Sequence, residues 1–333
     1  MHARNICLSS TLAILTAGCG GGSGEGVMFS APAPAPTAVA APTTTPTPTA
    51  KPAIRLTSDQ PFATTYRVSS AVSAGAAVDV PQIEPSQPLE FRYDSGSNSY
   101  IIRLPGEDSG RLVPSFENGV NSTSSIVTAS GPLPKAEVGL LYAPSRFSYS
   151  SWGDWTAETQ RRTADGRPIQ DNGVFAYGVP TAAGDVPKSG AATYAAELGG
   201  TATFRETGGE TSQSIGGLAH FVFDFAQGKL SGSMEPYLGA NGFQSYEGLL
   251  GQFEFRNTVF APGATTFAGQ FVGPGVNELA SSFNGLFTGP QAAELIGQFS
   301  TPFQADMKNL NDGSTGVDHL AGTLTGIFVG KKD

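Results

Sequence analysis

The sequence predicts an all-β protein in which a β-rich domain is followed by a soluble eight-stranded antiparallel β-barrel. The first observation is composition, because 43 Gly, 24 Pro and 21 Phe beside few charges indicate strands and many turns. The second is a Gly-x-Phe unit, which sets a small and a large residue on one face of a strand. It recurs at Gly251-Gln252-Phe253, Gly269-Gln270-Phe271, Gly285-Leu286-Phe287, Gly297-Gln298-Phe299 and Gly326-Ile327-Phe328. Small-next-to-large alternation is how the interior of a small closed barrel is filled.

Residues 1–18 are predicted to be a lipoprotein signal peptide. Arg4 gives a positive start, and residues 6–15 are mostly apolar but shorter than the roughly 20 residues of a membrane span. Residues 15–19, Leu-Thr-Ala-Gly-Cys, have the small residues and the thiol of a bacterial lipobox, so Cys19 is the predicted lipidation site. The alternative is an ordinary secretory signal with a chance cysteine. The only other cysteine, Cys7, would leave with the signal peptide, so we expect no disulfide.

Residues 19–53 are predicted to form a tether that begins at the lipidated cysteine. A Gly-rich start is followed by residues 31–50, which are almost wholly Ala, Pro and Thr and cannot bury a core. Proline density favours extended polyproline II at about 3.1 Å per residue. A lipid anchor with a semi-stiff spacer fits a protein held away from a membrane. The alternative is a disordered tail with no tether role.

Residues 54–180 are predicted to form a β-rich domain. Residues 89–104 alternate apolar and polar positions around a turn signal and predict a hairpin. Residues 146–155 and 174–178 predict a second hairpin across a turn-rich loop. Residues 180–190 are predicted to be a linker.

Residues 190–333 are predicted to form the barrel, in eight strands with one apolar and one polar face. Inner faces include the series Gly217, Ala219, Phe221, Phe223 and Phe225 and the series Leu249, Gly251, Phe253 and Phe255. Aromatic-in, polar-out alternation favours a packed interior. The alternative is an outer-membrane barrel with the Phe face toward lipid. A lipobox and a spacer would be redundant for such an integral barrel.

Three stretches resemble the transferrin-binding protein B-like surface lipoproteins, a transferrin-binding protein-like solute-binding family of Proteobacteria. They are Phe175 to Tyr194, Phe223 to Gly232 and Gly285 to Phe299, in the family's order and spacing, and together they cover about residues 147–329. The resemblance implies a lobe in which a β-rich handle domain packs beside an eight-stranded barrel. This chain has one lobe where transferrin binders carry two, which argues against transferrin as the ligand.

The resemblance implies a surface-exposed outer-membrane lipoprotein that binds a solute or protein partner and catalyses nothing. The setting it implies is nutrient acquisition of the iron or haem type. The implied partners are the outer membrane through the lipid anchor, a TonB-dependent receptor and the surface-lipoprotein export machinery. No ligand-binding residue carries over, because the ligand loops of the family diverge widely. The alternative is a structural or adhesive surface lipoprotein without cargo.

Ligand chemistry is sparse in the predicted mature chain. His220 and His319 are candidate haem or metal ligands, but their places in the strand pattern favour solvated side chains. Tyr93 or Tyr100 stays open as a haem ligand. We predict no metal site and no cofactor, with haem left open. No nucleophile elbow, P-loop or zinc spacing occurs, so we predict no catalytic residue.

The remaining candidates receive simple interpretations. Residues 309–313 lack the alternating acidic ligands of a calcium loop and are predicted to be a polar turn. Arg161-Arg162 is predicted to be solvated charge in a turn-rich loop. Trp152 and Trp155 are candidate partner anchors, but core packing between handle and barrel is the favoured interpretation. A net charge of −9 argues against nucleic acid as a partner.

Overall fold

The computed structural model describes residues 58–72, 89–97, 99–104, 109–112, 122–128, 136–141, 146–163, 165–206, 209–239, 246–310 and 316–333. The predicted signal peptide, Cys19 and the tether lie outside the described residues. None of the helices within the described ranges has the length and apolar character that a membrane span requires. The β-sheets belong to one compact unit, Ala50–Asp333.

Eighteen strands and two single-turn 3-10 helices form within these ranges. The strands are β1 Gln60–Pro61, β2 Ala63–Val72, β3 Glu90–Asp94, β4 Ser99–Arg103, β5 Ser109–Leu112, β6 Ser122–Thr128, β7 Ala136–Leu141, β8 Ser150–Arg162, β9 Pro168–Gly178, β10 Ala191–Glu206, β11 Gly209–Asp224, β12 Lys229–Leu238, β13 Gly248–Leu249, β14 Phe253–Val259, β15 Thr266–Val272, β16 Ser282–Thr288, β17 Glu294–Met307 and β18 Asp318–Lys332. The 3-10 helices are Glu278–Ala280 and Pro290–Ala292.

Strands β1 to β9 form one antiparallel sheet, the handle sheet, in the order β1-β3-β4-β5-β6-β7-β8-β9-β2. Both predicted hairpins of the first domain are confirmed. In one, Phe91 of β3 pairs with Ile102 of β4, and in the other, Trp155 of β8 pairs with Gly173 of β9. Strands β1 and β2 lie at opposite ends of this strand order, but only Phe62 separates them in the sequence. The segment formed by residues 60–72 therefore pairs with both edges of the sheet.

One face of the handle sheet buries an aromatic core. Its buried members are Leu89, Phe91, Ile102, Leu104, Trp155, Ala157, Phe175 and Tyr177. The rings of Phe91 and Tyr177 lie 4.4 Å apart between centroids, a distance at which aromatic pairs stabilise beyond area burial alone. Because side chains alternate along a strand, the residues between them project from the opposite face, which lies against the barrel.

Strands β10 to β18 form a second antiparallel sheet, which closes into a barrel. Around the ring the order is β10-β11-β12-β14-β15-β16-β17-β18, and β18 pairs again with β10. The predicted fold class and its eight barrel strands are confirmed, and the short β13 pairs beside β12 as an addition. The predicted pair of strands at residues 285–299 is also confirmed as β16, a 3-10 turn and β17.

One predicted inner-face residue lies on the outside. Leu249 belongs to β13 and is 61 % exposed, so its predicted place in the barrel interior is wrong. Gly251 has a φ of +114°, a conformation that residues with a Cβ seldom adopt. It interrupts the alternation between β13 and β14, and the inward pattern therefore begins at the buried Phe253.

Four of the five glycines of the repeated unit face phenylalanines of the neighbouring strand, and the fifth, Gly251, lies against Pro274. The cross-strand pairs are Gly269–Phe283, Gly285–Phe267, Gly297–Phe328 and Gly326–Phe299. A Cβ at Gly297 would lie 2.1 Å from Cζ of Phe328, so the ring occupies the space that the glycine leaves. The predicted small-next-to-large filling of the barrel is confirmed. The phenylalanines point inward, opposite to the lipid-facing orientation of an outer-membrane barrel.

Candidate functional site

The outer face of the handle sheet packs on the outside of the barrel along an apolar seam. Its buried members are Phe147, Ala176, Ile296, Ile327 and Val329, with Trp152, Val174 and Leu286 packed against them. Ile296 and Ile327 alternate along their strands with the inward-facing Gly297 and Phe328, so the barrel is apolar on both faces here. Burial of this outer face stabilises the contact at about 25 cal/mol per Å² of apolar area.

A buried carboxylate ties the handle to the barrel at this seam. Glu294, the first residue of β17, is 1 % exposed. Its Oε1 and Oε2 accept hydrogen bonds from the backbone N–H groups of Ser148 (2.5 Å) and Tyr149 (2.9 Å). Burial raises the pKa of this carboxyl group, although these hydrogen bonds and those of Ser150 oppose the shift. Hydrogen bonds to a carboxylate are among the strong ones, so the contact holds the start of β8 against the barrel.

The chain that leaves the handle sheet is also bonded to the barrel. The N–H of Thr181 donates to the carbonyl of Phe287 (3.0 Å), and the Thr181 hydroxyl donates to the carbonyl of Gly289 (2.7 Å). The N–H of Gly289 donates in return to the carbonyl of Val179 (2.8 Å). The predicted linker at residues 180–190 is therefore attached to the barrel at its start.

Next to the apolar seam, the two sheets leave a polar cavity of about 250 Å³, which we call the seam groove. Its walls carry Arg67, Asp154, Thr156, Asn172 and Val174 from the handle sheet and Gly200, Thr201, Ser214 and Thr325 from the barrel. The inside of the barrel, in contrast, is filled by fully buried rings such as those of Phe221, Phe223 and Phe271. The seam groove is therefore the candidate functional site.

The handle wall of the groove is polar because of strand alternation. Trp155 is 2 % exposed and points into the handle core, so its neighbours Asp154 and Thr156 project from the other face. The Thr156 hydroxyl donates to Oδ1 of Asn172 at 2.9 Å and orients this amide. Arg67 of β2 completes this wall.

Two charged side chains of opposite sign lie in the groove. Arg67 donates from Nε to the carbonyl oxygen of Phe299 in β17 at 3.2 Å, which holds a cation between handle and barrel. Desolvation raises the pKa of the Asp154 carboxyl group, although the residue as a whole is exposed. Among the described residues, no lysine, arginine or histidine forms an ion pair with Asp154.

The barrel wall of the groove is a row of hydroxyl groups. Thr201 of β10 pairs with Ser214 of β11 on one side and with Thr325 of β18 on the other. The neighbouring Ala202 and Leu324 are buried in the barrel core, so the three hydroxyl residues face outward. Directly opposed side chains have Cβ atoms roughly 5 Å apart, which makes the row continuous across three strands.

The two predicted histidines lie apart. His220 is exposed on β11 and pairs with Ala195 of β10, which in turn pairs with Lys331 at one end of β18. His319 lies at the other end of β18. His319 is also exposed, and its Nδ1 lies 2.8 Å from Oδ1 of Asp306. Both side chains are solvated, as predicted. Within the described part of the chain, no group of three His, Cys, Asp or Glu side chains is arranged to hold a metal ion.

The aromatic candidates belong mainly to the handle core. Tyr93 and Tyr100 pair across β3 and β4 with ring centroids 5.4 Å apart. Trp152 packs on the seam, as predicted, but Trp155 lies inside the handle. The prediction that Trp155 packs between handle and barrel is therefore wrong. Trp155 is three residues from Trp152 in β8, so the two side chains point to opposite faces of the sheet.

Two further polar predictions differ in outcome. Arg161-Arg162 belongs to β8 rather than to a loop, so the predicted loop is wrong: the pairing of β8 with β9 shifts register after Glu158 and resumes at Arg162 and Pro168. Arg162 is exposed, as expected. Asn309 forms an isolated β-bridge with Tyr246. Residues 311–313 of the predicted polar turn lie outside the described residues.

Sequence reasoning missed the three charged residues of the seam. Arg67 and Asp154 carry no motif, and they come near each other because β2 and β8 pair with opposite sides of β9, where Val174 lies level with both. Glu294 does carry a weak signal, since it is the one charged residue in the otherwise uncharged stretch from Gly285 to Phe299. A lone carboxylate in such a stretch indicates a buried, hydrogen-bonded role.

Comparison with known proteins gives solved structures of low similarity and no family. No family model and no curated protein matches the chain. A transferrin binding protein B double mutant from Haemophilus parasuis Hp5 is 17 % identical over 80 % of this chain and 45 % of its own, with a TM-score of 0.40. The intact Ap-TbpB, with N and C lobes, is 16 % identical over 74 % and 52 %, with a TM-score of 0.34. A DUF3598 protein of unknown function from Nostoc punctiforme is 9 % identical over 82 % and 95 %, with a TM-score of 0.17.

This chain thus spans about half the length of the transferrin binding protein B structures that it matches. Identities and TM-scores of this size assign neither a family nor a ligand to it.

Proposed function

We propose that this protein is a lipid-anchored outer-membrane surface protein that binds a solute or a protein partner and catalyses no reaction. The observation that carries the proposal is the seam groove, where polar and charged side chains converge between two sheets. The barrel interior is filled with phenylalanine rings, so it offers no comparable space. Anchoring is supported by the lipobox at residues 15–19 and by the Pro-rich residues 31–50.

The biological setting we propose is nutrient acquisition of the iron or haem type beside a TonB-dependent receptor. Its support is the resemblance of residues 175–194, 223–232 and 285–299 to the transferrin-binding protein B-like lipoproteins. An eight-stranded barrel beside a β-rich handle sheet is the arrangement that this resemblance implies. The surface-lipoprotein export machinery is the further partner required for display at the cell surface.

Anchoring is tested by the substitution Cys19→Ala. No other predicted segment of the chain is apolar enough to hold a membrane, so the variant is expected to move from the detergent phase to the aqueous phase in phase partitioning. Cys7→Ala, within the predicted signal peptide, is the matched control and should partition as the wild type does. Detergent-phase partitioning of the Cys19→Ala variant would contradict the anchor.

Nutrient acquisition is tested by deletion of the gene in the source bacterium and growth on haem as the iron source. We expect slower growth, restored by the wild-type chain and not by the Cys19→Ala chain. Protease accessibility on intact cells reports display at the surface. Undiminished growth of the deletion strain, with the protein displayed normally in the parent strain, would favour the structural or adhesive alternative.

A further inference from the structure

The seam groove has the size of a small solute. Its volume is about 250 Å³, which lies below the roughly 300–1,000 Å³ of pockets that enclose drug-sized ligands. A solute the size of an amino acid fits within this volume.

The groove also presents two opposite charges on its handle wall, because Val174 of β9 pairs with Arg67 of β2 on one side and with Asp154 of β8 on the other. Asp154 offers a carboxylate without a cationic partner among the described residues, and Arg67 offers a guanidinium held at the barrel by the carbonyl of Phe299. Asp154 is exposed, so a ligand cation can reach its carboxylate, and a hydrogen bond to this charged group would be of the stronger class.

Hydroxyl and amide groups line the groove around these charges. Thr201, Ser214 and Thr325 line the barrel wall, and Thr156 and Asn172 line the handle wall. Hydroxyl groups both donate and accept hydrogen bonds, which suits a carboxylate or a hydroxyl group of a ligand. Trp155 and Gly173 also line the groove, and the Trp155 side chain is otherwise buried in the handle core.

We propose that the seam groove binds a small zwitterionic amine of amino-acid size. The ligand ammonium group bonds to Asp154, and its carboxylate lies toward Arg67 and the hydroxyl row. This inference rests on the proposed binding function and names the class of solute for it. The walls are preorganised, because Glu294 and Arg67 each bond across from one sheet to the other, and preorganisation reduces the entropy cost of binding.

The test is isothermal titration calorimetry of the full lipidated chain in detergent with L-serine, L-lysine and L-glutamate as probes. Ethanolamine and lactate serve as matched half-ligands, one without the carboxylate and the other without the amine. We expect one-to-one binding of at least one amino acid and weaker binding of both half-ligands. A zwitterion engages both charges of the groove, whereas each half-ligand engages one.

The variants are Asp154→Asn in the groove and Asp306→Asn as the control, since Asp306 is an exposed aspartate on β17 that pairs with His319. Asp154→Asn should weaken amino-acid binding by at least about tenfold, because a hydrogen bond to a charged group is of the stronger class. Asp306→Asn should leave it unchanged. Thermal unfolding checks that both variants fold, and we expect Asp154→Asn to be about as stable as the wild type, since Asp154 is exposed.

Two results would overturn the inference: no saturable binding of any amino-acid probe, or equal affinities of the wild type and Asp154→Asn. If the chain is displayed at the surface and restores growth on haem but binds none of the probes, the proposed function stands and this inference fails. If probes bind as expected but deletion has no effect on growth, the assignment to iron acquisition fails and the groove assignment stands.

Discussion

At the scale of single residues, glycine controls the packing of this barrel. Each phenylalanine ring in the Gly–Phe pairs lies over a glycine on the next strand, so a methyl group added to that glycine would overlap the ring. Not every glycine of a barrel strand is crowded in this way. At Gly199, on the outer face of β10, the nearest atom to an added Cβ is a ring carbon of Trp152 at 3.8 Å, which is ordinary contact.

Gly297→Ala is therefore expected to destabilise the protein by about 1–3 kcal/mol, as overpacking of a filled core does. Its Cβ would meet the Phe328 ring at 2.1 Å, and this ring is locked among other rings. Gly199→Ala, also in a barrel strand, is the matched control and should change stability by less than about 0.5 kcal/mol. Urea unfolding of both variants measures the difference, and equal losses would contradict the proposed role of the Gly–Phe pairs.

Glu294 makes stability depend on pH. Burial raises its pKa in the folded state above the ordinary value of about 4.3, so the folded protein holds this proton more tightly than the unfolded chain does. The stabilisation of the folded state by this proton is fully present below the ordinary pKa of glutamate. It is lost as pH rises through the raised pKa of the folded state. We expect this part of the free energy of unfolding to fall with rising pH in the wild type and to be absent in Glu294→Gln.

The measurement is urea unfolding between about pH 4 and pH 8, taken as the difference between wild type and variant at each pH. Glu254→Gln is the control, because Glu254 is an exposed glutamate that pairs with Arg256. If the difference in the free energy of unfolding between the wild type and Glu294→Gln does not change with pH, the Glu294 carboxyl group has the same pKa in the folded and unfolded states, which would contradict this account.

At the scale of strands, the alternation of side chains predicted most of the barrel. Series such as Gly217 to Phe225 have an unambiguous period of two, and the structure places them inward as expected. The prediction failed at Leu249 because Gly251 breaks the period. Strands β5 to β7 were not predicted, since Ser-rich segments such as Ser122–Thr128 lack an apolar face. The seam groove could not be predicted either, because Arg67 and Phe299 meet only when the two sheets pack.

A core truncation and a surface truncation test this difference between the faces of a strand. Phe223 is fully buried in the barrel, with the rings of Phe287, Phe267 and Tyr194 at 4.9, 5.1 and 5.4 Å. Phe223→Ala is expected to cost about 3–5 kcal/mol. Gln270 projects outward, and its side chain accepts an exposed hydrogen bond from the side chain of Asn257 (2.6 Å). Gln270→Ala should therefore cost less than about 0.5 kcal/mol. Chemical unfolding measures both, and similar costs would refute the assignment of faces.

At the scale of the whole molecule, handle and barrel form the two walls of the candidate site. The apolar seam, the Glu294 carboxylate and the Thr181 hydrogen bonds join the sheets at several points, and the polar groove opens beside them. A filled barrel leaves binding to its outside, and a groove between two clamped sheets keeps its shape before a ligand arrives. The acidic net charge of −9 is compatible with cationic or zwitterionic ligands and unfavourable for polyanions.

The central claim, that binding takes place in the seam groove and not inside the barrel, is tested most directly by chemical-shift mapping. The isotope-labelled chain, without its predicted signal peptide and Cys19, is titrated with the amino acid that binds best. The account predicts saturable amide shifts clustered at Asp154, Asn172, Thr201 and Thr325, with the amides around Phe223 unchanged. Shifts centred on the barrel interior, or none at the groove while calorimetry still reports binding, would contradict it.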